Sequence, residues 1–361
     1  MKLELEDVED FARGAAFLGA GGGGDPYIGR LMLEQAMAQF GPVTFVDIED
    51  IDDDALLVPA AMFGAPTVIV EKLPNGSEAE KALQALETFL GRKATAIMPA
   101  EIGGVNALLP VVLASRLGLP VVDCDGMGRA FPELQMVTFS IFGHSASPLA
   151  VTDEAGNTVL ITARNDADAE RLARHTVLAM GASAQICCYP MSGADVKVCG
   201  VRGTLTLAFE IGRTIRIARE SHKDPFSDLL SYLERTEYYG KCKILADGRI
   251  IDVRRETRMG FAIGTVKIEQ TGGGRITEVQ FQNENLVARS DGQVKAIVPD
   301  LITVMDRETA EPITTEGLKF GQRVKVIGTS APPILRTPEA LKVVGPRCFG
   351  LDEDFSPIET L

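Results

Sequence analysis

Gly19-Ala20-Gly21-Gly22-Gly23-Gly24-Asp25-Pro26 puts five glycines into six positions at the head of a helical pattern. Glycine costs backbone entropy, so such a run belongs where the chain needs positive φ or brings bare amides against another group. Asp25 and Pro26 mark the next helix, predicted over 26–40. A short acceptor side chain suits the N-cap, and proline's fixed φ and missing N–H suit the first helical position. Upstream, Val8, Phe11, Ala12, Ala15 and Leu18 recur at helical spacing over 5–18. Gly19-x-Gly21-x-x-Gly24 has the spacing of the dinucleotide fingerprint, yet that motif requires a preceding strand, and no Lys-Ser/Thr completes a phosphate loop. No nucleotide is expected. Two readings stand: a nest of amides holding an anion or polarised carbonyl, or a tight helix–helix corner. Five glycines exceed what a corner needs, so Gly21, Gly22, Gly23, Gly24 and Asp25 are candidate substrate contacts.

Outward from the run, short apolar stretches at 43–48, 55–59, 68–71, 94–99 and 120–123 predict buried strands, with helices at 77–90 and 105–117 between the later ones. Such alternation predicts an α/β layer architecture with parallel strands. From 135 to 162 the pattern turns to β, with a tight turn at Asp153–Asn157. Helices follow at 166–180, 204–220 and 225–235, with a strand at 184–189. From Tyr238 the chain reads as hairpins, with turns at Asp247-Gly248, Thr271–Gly274 and Asp291-Gly292. Strands are predicted at 260–270, 275–282, 285–289, 293–299 and 323–328. The expected fold is an α/β N-terminal domain (1–165) and a second domain (166–361), helical over 166–235 and β-rich over 236–361.

Composition narrows the function. The 361 residues are 45% hydrophobic, enough for a substantial core, and the formal net charge of −14 offers no basic stripe for nucleic acid. The start, MKLELEDVED, lacks the cationic-then-apolar order of a signal peptide, and the apolar stretch 102–115 is too short to span a bilayer. A cytoplasmic protein with a small-molecule ligand is expected. Six cysteines without CxxC pairing predict reduced thiols and no structural disulfide.

Two strand ends carry acids and glycines. In Val121-Val122-Asp123-Cys124-Asp125-Gly126-Met127-Gly128-Arg129, extended backbone would point Asp123 and Asp125 to one side. Paired carboxylates need a cation, a proton or water between them, so the loop reads either as a divalent-metal site or as an acidic turn. Arg129, in the same loop, is a candidate substrate contact. In Pro99-Ala100-Glu101-Ile102-Gly103-Gly104, Glu101 reads as a general base, a ligand or a charge favoured by the helix dipole. Of three histidines, only His144, in a glycine-flanked loop, reads as a proton-transfer candidate. Cys187-Cys188, one thiol on each face of a strand, reads as core.

GAGGGGDPYIGRLM (19–32), PAEIGGVNALLP (99–110), PVVDCDGMGRAFPELQMVTF (120–139), FQNENLVA (281–288), VPDLITVMD (298–306) and VGPRCFG (344–350) together resemble the S-methyl thiohydantoin desulfurase domain family. The resemblance spans nearly the whole chain. It implies an N-terminal α/β domain, a β-rich C-terminal domain, and a role in opening or desulfurising hydantoin-type rings, in association with hydantoinase/oxoprolinase proteins. Its chemistry is water addition to an amidine-like carbon with loss of a thiol. The residues fit it as follows: Asp123 and Asp125 hold a divalent metal or orient water, Glu101 or His144 moves protons, and the Gly21–Gly24 amides hold the ring carbonyl or a side-chain carboxylate. The alternative is a non-catalytic partner of a hydantoinase or oxoprolinase. Self-association into a homo-oligomer suits the apolar helices and extended hairpins without fixing a symmetry.

Overall fold

The computed structural model describes residues 1–65, 68–69, 71–258 and 261–361. Four apolar runs lie side by side in parallel, in the order Val43–Val46, Val121–Val122, Ala96–Pro99 and Leu56–Gly64. The parallel links are made by helices: Glu78–Leu90 carries the chain from Leu56–Gly64 to Ala96–Pro99, and Val105–Leu117 carries it on to Val121–Val122. Val105–Leu117 is mostly apolar, with Asn106 as a polar exception near its start, and is buried from Val105 to Ser115, as a helix enclosed on all sides requires. Ser183–Cys187, Leu149–Thr152 and Thr158–Ile161 extend the sheet in antiparallel fashion beyond Leu56–Gly64. The first sheet therefore extends past the boundary expected at 165.

The second sheet has seven antiparallel strands in the order Gln293–Ile297, Glu284–Ser290, Ile276–Gln282, Phe261–Gln270, Cys242–Arg258, Arg323–Thr329 and Leu301–Asp306. Ile250, Val266, Ile268, Val279 and Phe281 belong to its own apolar core. This is the α/β domain and β-rich domain that the residue patterns predict. Among the described residues no helix is long and apolar enough to cross a membrane, and all six cysteines are free thiols.

The differences from the sequence reading have local causes. Asp247-Gly248 is no turn: Cys242–Arg258 runs through it, paired on one side with Phe261–Gln270 and on the other with Arg323–Thr329. A Cβ at Gly248 would lie 2.1 Å from the Glu269 carbonyl oxygen, so glycine there permits close strand approach. Val68 and Ile69 lie in a helical turn opened by the Val68 amide donating to Ala65; Val70, in the same predicted strand, lies outside the described residues. Within the predicted β stretch 135–162, Thr138–Ile141 forms one helical turn. Leu301–Asp306 is an edge strand that the pattern left unread.

The helices Val8–Leu18 and Thr204–Glu220 cross in contact, and each brings a glycine to the crossing. A Cβ at Gly14 would sit 1.6 Å from the Ala208 carbonyl oxygen, and one at Gly212 would sit 1.8 Å from that of Asp10. Both obstacles are backbone, so the helices would have to separate. Gly212→Ala should therefore destabilise the fold by about 1–3 kcal/mol despite alanine's better helix propensity, which urea denaturation will measure. Equal or greater stability would show that this crossing does not limit packing.

Candidate functional site

The glycine run is held between two loops. On one face lies Gly103-Gly104, the link from Ala96–Pro99 to Val105–Leu117. A Cβ at Gly23 would fall 2.2 Å from the Gly103 oxygen, and one at Gly104, whose φ is +54°, would fall 2.2 Å from the Gly24 oxygen. The Val105 amide donates to Gly23 at 2.9 Å, and the Gly104 amide donates to Ala15 at 3.0 Å. On the other face sits the turn between Ile276–Gln282 and Glu284–Ser290. A Cβ at Gly22 would lie 2.1 Å from Oε1 of Glu284, and one at Gly21 would lie 2.7 Å from Nδ2 of Asn285. Asn285 donates its amide to Ala20 at 2.8 Å and its Nδ2 to Ile302 at 2.8 Å. It accepts from Nη2 of Arg129 at 3.2 Å. With Asn285 fixed in this way, the preceding residue is directed into the first domain.

That residue is Glu284, and it shares a cavity of about 80 Å³ with Glu101. Gly23, Met62, Phe63, Asn106, Phe131, and Cys188 are also in the wall. Glu101 is 6% exposed and Glu284 is 2% exposed. Both oxygens of Glu101 are engaged: Oε1 accepts from Nδ2 of Asn106 at 2.5 Å and Oε2 from the Phe131 amide at 3.1 Å. Asn106 is itself oriented by the Met62 amide, which donates to its Oδ1 at 2.7 Å. Glu284 differs, because its Oε2 has no partner among the described residues. Burial raises Glu101 to about 7 against the stabilising pull of those two donors. Burial, followed by the charge of Glu101, pushes Glu284 well above the ordinary carboxyl range. Two neighbouring carboxyls with different hydrogen bonding are suited to hold one proton between them.

The sequence candidates scatter around this centre. Glu101 and Gly23 line the cavity. Gly21 and Gly22 seat Asn285 and Glu284 instead, Gly24 packs on Gly104, and none of the three is in the cavity wall. Asp25 caps the helix Pro26–Phe40 by accepting from Tyr27 at 2.8 Å, and it faces a separate cavity of about 340 Å³. Arg129 is fully buried. It donates to the carbonyls of Ala130, Asn285, Pro299 and Asp300, bracing the two domains and making no wall of the cavity. Burial lowers it to about 10 while Glu284 and Asp300 oppose the shift, so it stays charged at neutral pH. His144 stands elsewhere, half-buried and near Asp195.

The Asp123 and Asp125 side chains do not fit a metal. Oδ1 of Asp123 accepts from the Leu205 and Thr206 amides at the start of Thr204–Glu220, and Oδ2 accepts from the Thr206 hydroxyl. Oδ2 of Asp125 accepts from Ile102, Met127 and Gly128 at 2.8–3.0 Å. Both oxygens of Asp123 and Oδ2 of Asp125 face N–H and O–H donors, leaving Oδ1 of Asp125 as the one oxygen of the pair with no partner among the described residues, and no group of three or more metal-ligating side chains is found among those residues. Both are loop organisers: Asp125 ties its own loop to Ile102, the neighbour of Glu101. Residue patterns missed Glu284, Asn106 and Cys188. Glu284 and Asn106 fall inside FQNENLVA and PAEIGGVNALLP, but no spacing rule links positions this far apart in the chain.

Residues 6–163 match the N-terminal domain and residues 164–358 the C-terminal domain of S-Me-THD-like proteins. The chain belongs to the S-Me-THD-like family. A crystal structure of a protein from Chromobacterium violaceum is 25% identical, with a TM-score of 0.83 over 99% of this chain and 100% of that one. Among curated proteins no match is found. Family membership fixes the architecture around the cavity, while the chemistry has to be argued from the carboxyls themselves.

Two outcomes follow from this geometry. Gly22→Ala would drive a methyl into the Glu284 carboxyl, so it should cost about 1–3 kcal/mol in denaturant titration; unchanged stability would mean the seat yields freely. Burial raises Asp125 from 3.8 to about 7. The folded state thus holds that proton more tightly than the unfolded chain, and its contribution to stability is lost as pH rises from about 4 through about 7. Asp125→Asn keeps an acceptor for the three amides and should make the pH dependence of thermal unfolding shallower across this window. A slope equal to that of the parent protein would assign it to other groups.

Proposed function

We propose that the protein is a hydrolase of hydantoin or S-methyl thiohydantoin-like rings that adds water to an amidine-like carbon and releases a thiol. The observation that carries this reading is the pair Glu101 and Glu284, two buried carboxyls facing one small cavity with only one of them fully hydrogen-bonded. Donors on both oxygens favour the carboxylate form of Glu101, which makes it the base. The unpartnered, strongly raised Glu284 is the acid. A cavity of about 80 Å³ is well below the ~300 Å³ of a drug-sized site and suits the reacting edge of a small ring.

In this mechanism Glu101 takes a proton from water as the water oxygen bonds to the ring carbon bearing the methylthio group. The C=N electron pair moves to the ring nitrogen, which receives the proton of Glu284. The carbon–sulfur bond then breaks as the new hydroxyl returns its proton to Glu284 and becomes a carbonyl. Glu101 gives its proton to the departing thiolate. The products are the ring carbonyl and methanethiol, and both carboxyls regain their starting states.

The test is thiol release from an S-methyl thiohydantoin, followed with a chromogenic disulfide. Glu101→Gln and Glu284→Gln should each lower kcat by on the order of a hundredfold or more. Activity should rise with pH as Glu101 ionises near pH 7, and fall at higher pH as Glu284 loses its proton, with both limbs belonging to the coupled pair. Wild-type release that Glu101→Gln leaves intact would overturn the assignment.

A further inference from the structure

The second sheet carries its own cavity, of about 290 Å³, which shares no wall residue with that of Glu101 and Glu284. Arg249, Arg307 and Arg323 line it, against one acid, Glu269. Strand register sets the three arginines side by side. Arg249, on Cys242–Arg258, stands directly opposite Arg323, the first residue of Arg323–Thr329. The Arg307 amide donates to the Arg323 carbonyl at 3.0 Å, which places the third arginine on the other side of that strand. Like charges directly across a sheet repel, and in a chain with a formal net charge of −14 such a row runs against the overall balance.

The acids near the row leave most of its donors free. Asp247 accepts from Nε and Nη2 of Arg307 and orients that guanidinium. Glu308 stands 3.9 Å from Nη1 of Arg307 and 3.6 Å from Nη1 of Arg323, and Glu269 stands 3.8 Å from Nη2 of Arg249. These three separations exceed hydrogen-bond length, so Arg249 and Arg323 donate no side-chain hydrogen bond among the described residues. Both are exposed, and loose surface pairs of this kind exchange readily for a better-placed anion.

The turn Thr271–Gly274 adds bare backbone to the wall. Gly272 and Gly273 have φ of +97° and +82°, and a Cβ at either would meet nothing within 4 Å, so conformation and not crowding calls for glycine. Thr271 fixes the turn by donating its amide to Asp247 at 2.8 Å, while the Gly272 amide has no acceptor among the described residues. Three guanidiniums on neighbouring segments, with an unpartnered amide beside them, offer more donors than a planar carboxylate accepts. They match a tetrahedral anion.

We propose that Arg249, Arg307 and Arg323, with the Thr271–Gly274 turn, bind the phosphoryl group of a small molecule. The site is independent of the ring-hydrolase reading, and its cavity, close to the ~300 Å³ lower bound of ligand sites, has room for a phosphate ester.

Titration calorimetry of the full chain with inorganic phosphate, in mildly alkaline buffer of low ionic strength, tests this. One phosphate should bind per chain, on the order of tenfold more tightly than acetate, and added sodium chloride should weaken it. The double variant Arg249→Gln, Arg323→Gln should lose on the order of tenfold or more in phosphate affinity. Absence of saturable phosphate binding, or undiminished binding by the double variant, overturns the site. Equal affinity for acetate overturns the phosphoryl group as its ligand, and this wild-type comparison is decisive by itself if the double variant does not fold. Vesicles of phosphatidylcholine and phosphatidic acid separate a lipid headgroup from a soluble ester: sedimentation with them, without any binding of free phosphate, overturns the small-molecule ligand.

Discussion

Everything at the site depends on one close approach, that of the Gly21-Gly22 backbone to Glu284 and Asn285. No side chain larger than hydrogen fits at Gly22 without displacing the Glu284 carboxyl. The same contact joins the domains, because Asn285 donates to Ala20 while its carbonyl accepts from the buried Arg129. Thr315 adds its amide to Gly21 at 2.9 Å, and the Thr303 hydroxyl donates to Phe17 at 2.8 Å. Domain docking and placement of an acid are therefore one event. Backbone amides and carbonyls make most of these bonds, which gives the seat a geometry that little side-chain motion can relax.

The electrostatics follow from the docking. Closing the second sheet over the strand ends removes water from Glu101 and Glu284, and burial is the leading cause of the raised proton affinity of each. Arg129 sits behind them as a buried charge, spending its donors on four carbonyls. It offsets part of the cost of confining two acids without neutralising either one in a direct pair. Asn106 then distinguishes the two acids, since its amide reaches Glu101 alone while its own oxygen is fixed by Met62. Unequal hydrogen bonding of two similar groups is what lets a carboxyl pair divide acid and base roles.

Much of the fold was legible in the chain. Hydrophobic periodicity placed the helices Pro26–Phe40, Glu78–Leu90, Val105–Leu117 and Thr204–Glu220 nearly to their ends, because an amphipathic or fully buried helix repeats its apolar positions locally. Asp291-Gly292 formed the expected turn, with φ of +50° and +80°, whereas Asp247-Gly248 was absorbed into a strand by partners on both sides. Local turn propensity yields when two flanking strands can satisfy the backbone. Of the candidate site residues, Glu101 and Gly23 were recognisable at strand-end and glycine loops. Asp123 and Asp125 misled because alternation along a strand says which side a carboxylate faces, and not which amides will meet it there.

The sequence by itself determined that a glycine-rich loop follows a helix, that a carboxylate ends a buried parallel strand, and that the chain splits into α/β and β-rich parts. These are consequences of spacing, capping and backbone permissiveness, all settled within a few residues. Only the tertiary structure decided that the glycine run is a seat for Glu284 and that Arg129 braces two domains. Each joins segments that lie far apart along the chain, and burial, which sets the protonation of the two carboxyls, exists only once those segments have closed on one another.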